Sequence, residues 1–181
     1  QARKEWDDSI YSGKFPPFTR ENIASTFRNL HGARDDIFDR GVINVFKQLS
    51  WDYKTNRPFA FGKRIVITRM RGEIKPGRES GGGPTLGHVV HDSSARLEDL
   101  VRVFSILEGK PEPDHRGGIY FAVSAIKNTT DGDAKTEYLS IRSFRNGNGH
   151  VTFTRPDLVE KMNRILANHF PGQLPHAKGT L

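Results

Sequence analysis

The 181-residue chain contains no cysteine, which excludes a disulfide framework, a thiolate metal site and a cysteine nucleophile together. It has no apolar run near the ~20 residues that a membrane-spanning helix needs. No charged-then-apolar leader with a small-residue cleavage site opens it either. No membrane association and a cytoplasmic location are therefore expected; Gln1 in place of Met suggests that a further segment precedes the numbered chain. Acidic residues are in deficit, with 21 Asp and Glu against 28 Lys and Arg and a formal net charge of +7, which favours an anionic partner. The excess is spread along the chain rather than gathered in a tail, so nucleic acid, RNA or DNA, is the expected partner. Two motifs are also missing. The glycine run Gly81-Gly-Gly-Pro84 lacks the Lys and Ser/Thr that complete a phosphate-binding loop. His88-x-x-His91-Asp92 has no second pair to complete a zinc set, so neither a metal nor a cofactor is expected.

What is present is most legible between Tyr138 and Ala167. Tyr138, Ser140, Arg142 and Phe144 alternate with Leu139, Ile141, Ser143 and Arg145, and Val151 and Phe153 alternate with polar neighbours on the returning side, the period of two strands. Asn146-Gly147-Asn148-Gly149 between them accepts the positive φ of a tight hairpin turn. A turn centred on Gly147 and Asn148 puts Arg145 opposite His150 with both side chains on one face; a one-residue slip would separate them. Thr154 and Asp157 stand at capping-box spacing with Pro156 in the first turn, and Leu158, Met162, Ile165 and Leu166 form a helical stripe.

Elsewhere, Thr19 reads as the N-cap of a helix carrying Ile23, Phe27 and Leu30, and a second helix is expected from about Ala33 to Leu49. Ser50 to Pro58 is a loop in which Trp51 and Tyr53 sit beside Lys54 and Arg57; either the rings stack on bases while the cations meet phosphates, or the rings anchor the loop in the core. Arg64 to Met70, apolar on both faces, predicts a central strand. A flexible loop over 71–87 precedes a helix that Asp92, Ser93 or Ser94 caps and Gly109 stops. Ile119 to Ala125 reads as a strand, and Asp131-Gly132 as a turn. The expectation is a single domain with poorly ordered ends at 1–15 and 170–181. Its class is α+β, with about four antiparallel strands, helices packed on one face, an N-terminal helical pair and a C-terminal helix.

Two chemistries use these residues. A metal-independent endoribonuclease, of the kind met among toxins, needs a base for the 2′-hydroxyl, an acid for the leaving oxygen and cations for the phosphorane. His150, Arg145 and Lys54 are the catalytic candidates: His150 as base or acid, Arg145 with Arg142 clamping the phosphate, and Lys54 or Lys63 adding charge or supplying the acid. A non-catalytic module would instead use Tyr53 for stacking, Lys63, Arg64 and Arg142 for phosphates, and Asn56, Asn146 and Asn148 for base edges. A protein-interaction domain, which would leave the basic surface unused, is the third alternative.

Phe15-Pro-Pro-Phe-Thr-Arg-Glu-Asn22, Ser50-Trp-Asp-Tyr-Lys-Thr-Asn56, Phe61-Gly-Lys-Arg64, Phe144-Arg-Asn-Gly-Asn-Gly-His150, Arg155-Pro-Asp-Leu-Val159 and His169-Phe-Pro-Gly-Gln-Leu-Pro175 carry a likeness over nearly the whole chain. On these motifs the chain resembles a bacterial family known only as a domain of unknown function, met in phages, prophages and plasmids and sometimes associated with restriction methylases. The resemblance implies a mobile-element or phage-defence context (modification, restriction or anti-restriction) and a protein partner from the same operon. It brings no activity with it. In architecture alone the chain is similar to the barnase and bacterial toxin ribonuclease group.

Overall fold

The computed structural model describes residues 12–13, 18–72, 86–114, 117–127 and 132–171. Most of the loop expected at 71–87, Asp131 of the expected turn, and nearly all of both expected ends lie outside the described residues. The chain divides into two compact units, Gln1–Phe38 and Asp39–Leu181.

In the first unit, helix α1 spans Arg20–Gly32, and Thr19 is its N-cap: the backbone there is extended and the hydroxyl accepts from the Asn22 amide at 3.2 Å. No residue of α1 is buried. Helix α2, Arg34–Ser50, starts in this unit with Asp35 and Asp36 in its first turn, where acids complement the helix dipole. It ends in the second unit, burying Val42, Ile43, Val45, Phe46 and Leu49.

The rest of the second unit is β1 (Arg64–Ile67), α3 (His91–Glu108), α4 (Ile119–Ser124), β2 (Ala134–Lys135), β3 (Leu139–Ser143), β4 (Gly149–Phe153) and α5 (Pro156–His169). The strands form one antiparallel sheet in the order β1-β4-β3-β2, so the α+β class with four strands and a C-terminal helix holds. Ile65, Ile67, Leu139, Ile141, Val151 and Phe153 point to the inner face and are buried. There Phe153 meets Phe104 of α3 and Phe61, whose ring lies 5.0 Å from that of Phe46 in α2. Asn163 of α5 closes the layer by pairing its amide with both backbone groups of Phe61, at 2.8 and 3.0 Å. At the far end the Glu108 carboxyl takes hydrogen bonds from Arg155, Lys110 and Tyr138, which hold its pKa down to about 2 and tie the end of α3 to the start of α5.

Four expectations are corrected. Ile119 to Ala125 is the helix α4 rather than a strand: its β-branched and aromatic residues favour a strand, but Ile119, Val123 and Ile126, spaced four and three apart, are the buried ones. The fourth strand is β2 instead. β1 is an edge strand rather than a central one. Its free edge is closed by Asn56, whose side chain donates to the Val66 carbonyl and accepts from the Val66 amide, both at 2.8 Å, standing in for a neighbouring strand. Finally, neither expected serine, threonine or aspartate caps α3 or α5. Val90 and Arg155 hold the N-cap positions without a side-chain bond; Ser93 is drawn to the Arg69 carbonyl and Thr154 to that of Glu137, so tertiary acceptors outcompete the local ones.

Candidate nucleic-acid interface

The β3–β4 hairpin positions the site, and its turn differs from the sequence expectation. Gly147 donates to the Phe144 carbonyl at 3.0 Å and Phe144 to the Asn148 carbonyl at 2.9 Å, with Gly147 at φ +82°. This is a three-residue loop whose left-handed residue must be glycine. The resulting register pairs Arg142, and not Arg145, with His150. The reason lies in the pleat. The expected register would have put Val151 and Phe153 on the face opposite Leu139 and Ile141, whereas in the observed one Ile141 faces Val151 and Leu139 faces Phe153, all four buried.

His150 therefore stands on the outer face, between Arg142 on β3 and Val66 on β1. Its ring packs on Phe144 with centroids 4.4 Å apart. Burial lowers its pKa, and the Arg64 charge lowers it further, so both favour the neutral imidazole. Arg142 is engaged: its guanidinium bonds Asp133 at 2.6 Å, and Ser140 donates to the same carboxylate. That partner pulls the Asp133 carboxyl below its ordinary pKa.

Across β4, Thr152 pairs with Arg64, and the two border a groove of about 510 Å3 lined also by Thr55, Arg57, Gly62 and Lys63. Among the described residues three cations and no acid line it. Arg57 lies against Gly62, with Nε 3.4 Å from where a Cβ would stand. Phe144 was missed in the sequence, and Arg57 stood there only as one of the two cations of the Ser50 to Pro58 loop. Phe144 could have been found from the alternation that places it two residues from Arg142; Arg57 is brought in only by the folding of its loop.

The other sequence candidates separate. Lys63 and Arg64 come together in the groove. Lys54 is exposed and Tyr53 half-buried on the preceding loop, and neither lines the groove. Asn56 has both ends of its amide engaged: besides its two bonds to Val66 it donates to the Leu49 carbonyl at 3.1 Å. Asn146 is exposed in the hairpin loop, where its side-chain oxygen accepts from the Asn148 amide at 3.1 Å; Asn148 is half-buried at the closing pair. Arg145 is exposed at the hairpin tip, away from His150 in register. Trp51 is 60% exposed and donates to the Pro58 carbonyl, with the Lys47 ammonium 5.9 Å from its ring. It is not a core anchor. Among the described residues no group of three or more His, Asp or Glu could hold a metal ion, and no helix is long and apolar enough to cross a membrane.

The model of a family described as a domain of unknown function, DUF4942, matches residues 1–172. The chain belongs to the DUF4942 family. Within this DUF4942 domain the match takes in every element of the sheet and all five described helices. No curated protein and no solved structure matches the chain.

Proposed function

We propose that this DUF4942 domain binds single-stranded nucleic acid on the outer face of its sheet. The groove of Arg57, Lys63 and Arg64 takes backbone phosphates, and the neighbouring Phe144–His150 ring pair offers a surface for a base. The observation that carries this reading is the groove's lining, three cations and no acid among the described residues, beside β4, the strand that also carries His150 of the ring pair. Phosphate contacts supply affinity and stacking tolerates any sequence, the combination used by single-strand binders. The setting that fits is a recognition module of a modification, restriction or anti-restriction system on a mobile element, as the family resemblance implies.

A second reading has one specific observation in its favour. His150 is held below its ordinary pKa by burial and Arg64, which favours the unprotonated form that a base for the RNA 2′-hydroxyl requires. In that reaction the 2′ oxygen loses its proton to His150 and attacks phosphorus, and the 5′ oxygen leaves with a proton from a second group. Of the two sequence candidates for that group, Lys54 does not line the groove and Lys63 does; binding is preferred because it asks no proton transfer of either.

Both are tested by incubating the chain with labelled RNA, single-stranded DNA and duplex DNA in excess chelator, scoring retention and cleavage together. Retention of single strands without cleavage is expected. It should weaken in Arg57→Ala and Lys63→Ala, with the logarithmic salt slope falling by about 0.7 for each phosphate that is no longer neutralised. RNA cleavage that disappears in His150→Ala would replace binding with the nuclease. Absence of retention by the wild-type chain would refute the interface.

A further inference from the structure

A second cationic basin, of about 470 Å3, lies at the tip of the β3–β4 hairpin, lined by Arg69, Arg71, Gly72, Val90, Arg145, Asn146 and Gly147. Among the described residues its lining holds three arginines and no acid. Arg71 is 5% exposed, and its guanidinium is met by the carbonyls of Gly87, Val123 and Ile126 rather than by a carboxylate. No carboxylate among the described residues cancels its charge, although the guanidinium turns toward Gly87 and Ile126, which line a different cavity, and not into the basin. Arg69 is the one non-glycine among the described residues with positive φ, at +48°, a conformation that costs an arginine free energy and persists only where surrounding bonds enforce it. Here Ser93 donates to the Arg69 carbonyl at 3.0 Å, Val90 to that of Met70, and Arg71 to that of Gly147. These bonds hold a turn that keeps Arg69 beside Arg145.

We propose that this basin is a second phosphate subsite, which holds one end of the strand whose middle crosses His150. The nucleic-acid class of the ligand rests on the interface reading above; the anion itself does not. β4 joins the two places, running from Gly149 beside the tip through His150 to Thr152 at the groove. On β1 the groove starts at Arg64, and the Cα atom of Arg69 lies within about 18 Å of that of Arg64 along the chain. One strand of a few nucleotides covers both sites. Bridging two weak sites with one ligand raises affinity only once the ligand is long enough to reach both.

The test pairs the double variant Arg69→Gly/Arg145→Ala, in which glycine keeps the positive φ, with fluorescence anisotropy on oligonucleotides of increasing length, with and without a 5′-phosphate. Strands long enough to span both sites should bind the variant roughly tenfold more weakly than wild type, with a salt slope lower by about 0.7. Strands too short to span should bind the two proteins alike. A 5′-phosphate that raises the affinity of short strands for wild type alone would identify the strand end as the source of the anion; the same length dependence without that effect would identify an internal phosphodiester. If the double variant binds every length as wild type does while Arg57→Ala loses binding, the subsite is refuted and the interface stands. A parallel titration with inorganic phosphate, following the amide signals of Asn146 and Gly147, separates the other case. Shifts in wild type but not in the variant, with no oligonucleotide bound by either, would keep the anion site and remove the interface; no response to either probe would remove both.

Discussion

Asn56 gives the sharpest test of how this site is built, because sequence reasoning places it against a nucleic acid while the fold uses it to finish a sheet. Truncation to alanine removes three hydrogen bonds of 2.8, 2.8 and 3.1 Å and leaves the Val66 amide, the Val66 carbonyl and the Leu49 carbonyl without their partner. At about 1 kcal/mol net for each bond the loss is roughly 3 kcal/mol. Asn56 is only half-buried, so water reaches part of the gap and about 2 kcal/mol is the expected deficit. Asn56→Asp distinguishes the roles of the two amide atoms. It keeps an acceptor for the Val66 amide but turns a carboxylate oxygen toward two carbonyls that need a donor, so at pH 7 it should be at least as destabilised as alanine. Its deficit should shrink in acid, when the protonated carboxyl regains one donor. Urea denaturation followed by circular dichroism measures both, with a lower midpoint and an unchanged slope as the expected signature. An Asn56→Ala midpoint within about 0.5 kcal/mol of wild type would refute the edge-closing role. So would an aspartate variant milder than alanine at neutral pH. Compared at equal folded fraction, Asn56→Ala should bind oligonucleotides as wild type does.

Three further outcomes follow from neighbouring residues. Gly147→Ala should cost about 2 kcal/mol or more in thermal unfolding, since the residue sits at φ +82° and a Cβ would stand 2.8 Å from the Arg71 carbonyl oxygen, which as backbone has little room to move. Arg71→Met, similar in length but without donors, leaves the buried carbonyls of Gly87, Val123 and Ile126 unpaired; a loss of about 3 kcal/mol or more is expected from the same measurement. His150 should make stability fall in mild acid. Its folded pKa lies below the unfolded value near 6.5, so the unfolded chain takes up the proton first, and stability that is full above that value declines as pH drops below it. Urea midpoints compared between pH 8 and pH 5 should show this decline in wild type and a flatter profile in His150→Gln.

Local chemistry was read well where a residue acts on its own neighbours. Thr19 caps α1, Gly109 ends α3 in the left-handed conformation, and Pro156 opens α5, each by a preference that spans at most four residues. The same reasoning failed where a distant group competed for the same atom. Ser93 and Thr154 were natural caps until the carbonyls of Arg69 and Glu137 drew them away. Ile119 to Ser124 shows the limit of propensity in a short segment: Ile, Tyr, Phe and Val favour a strand, yet the spacing of its two buried residues, Ile119 and Val123, and of Ile126 just beyond is helical. For the hairpin the needed signal was present. Requiring Leu139, Ile141, Val151 and Phe153 to share one face is enough to reject the register that pairs Arg145 with His150.

By itself, then, the sequence determined that two strands meet in a hairpin after Tyr138, that helices with apolar stripes cover one side of an antiparallel sheet, and that the surface is basic. Periodicity, turn chemistry and charge are properties of neighbouring residues or of simple sums, so folding does not alter them. Only the tertiary structure decided that β1 lies at the edge and is closed by Asn56, that Arg57 joins Lys63 and Arg64 in one groove, and that Arg69 and Arg145, 76 positions apart in number, line one basin. Those associations depend on which surfaces the core brings together, and no local preference of the residues concerned encodes that.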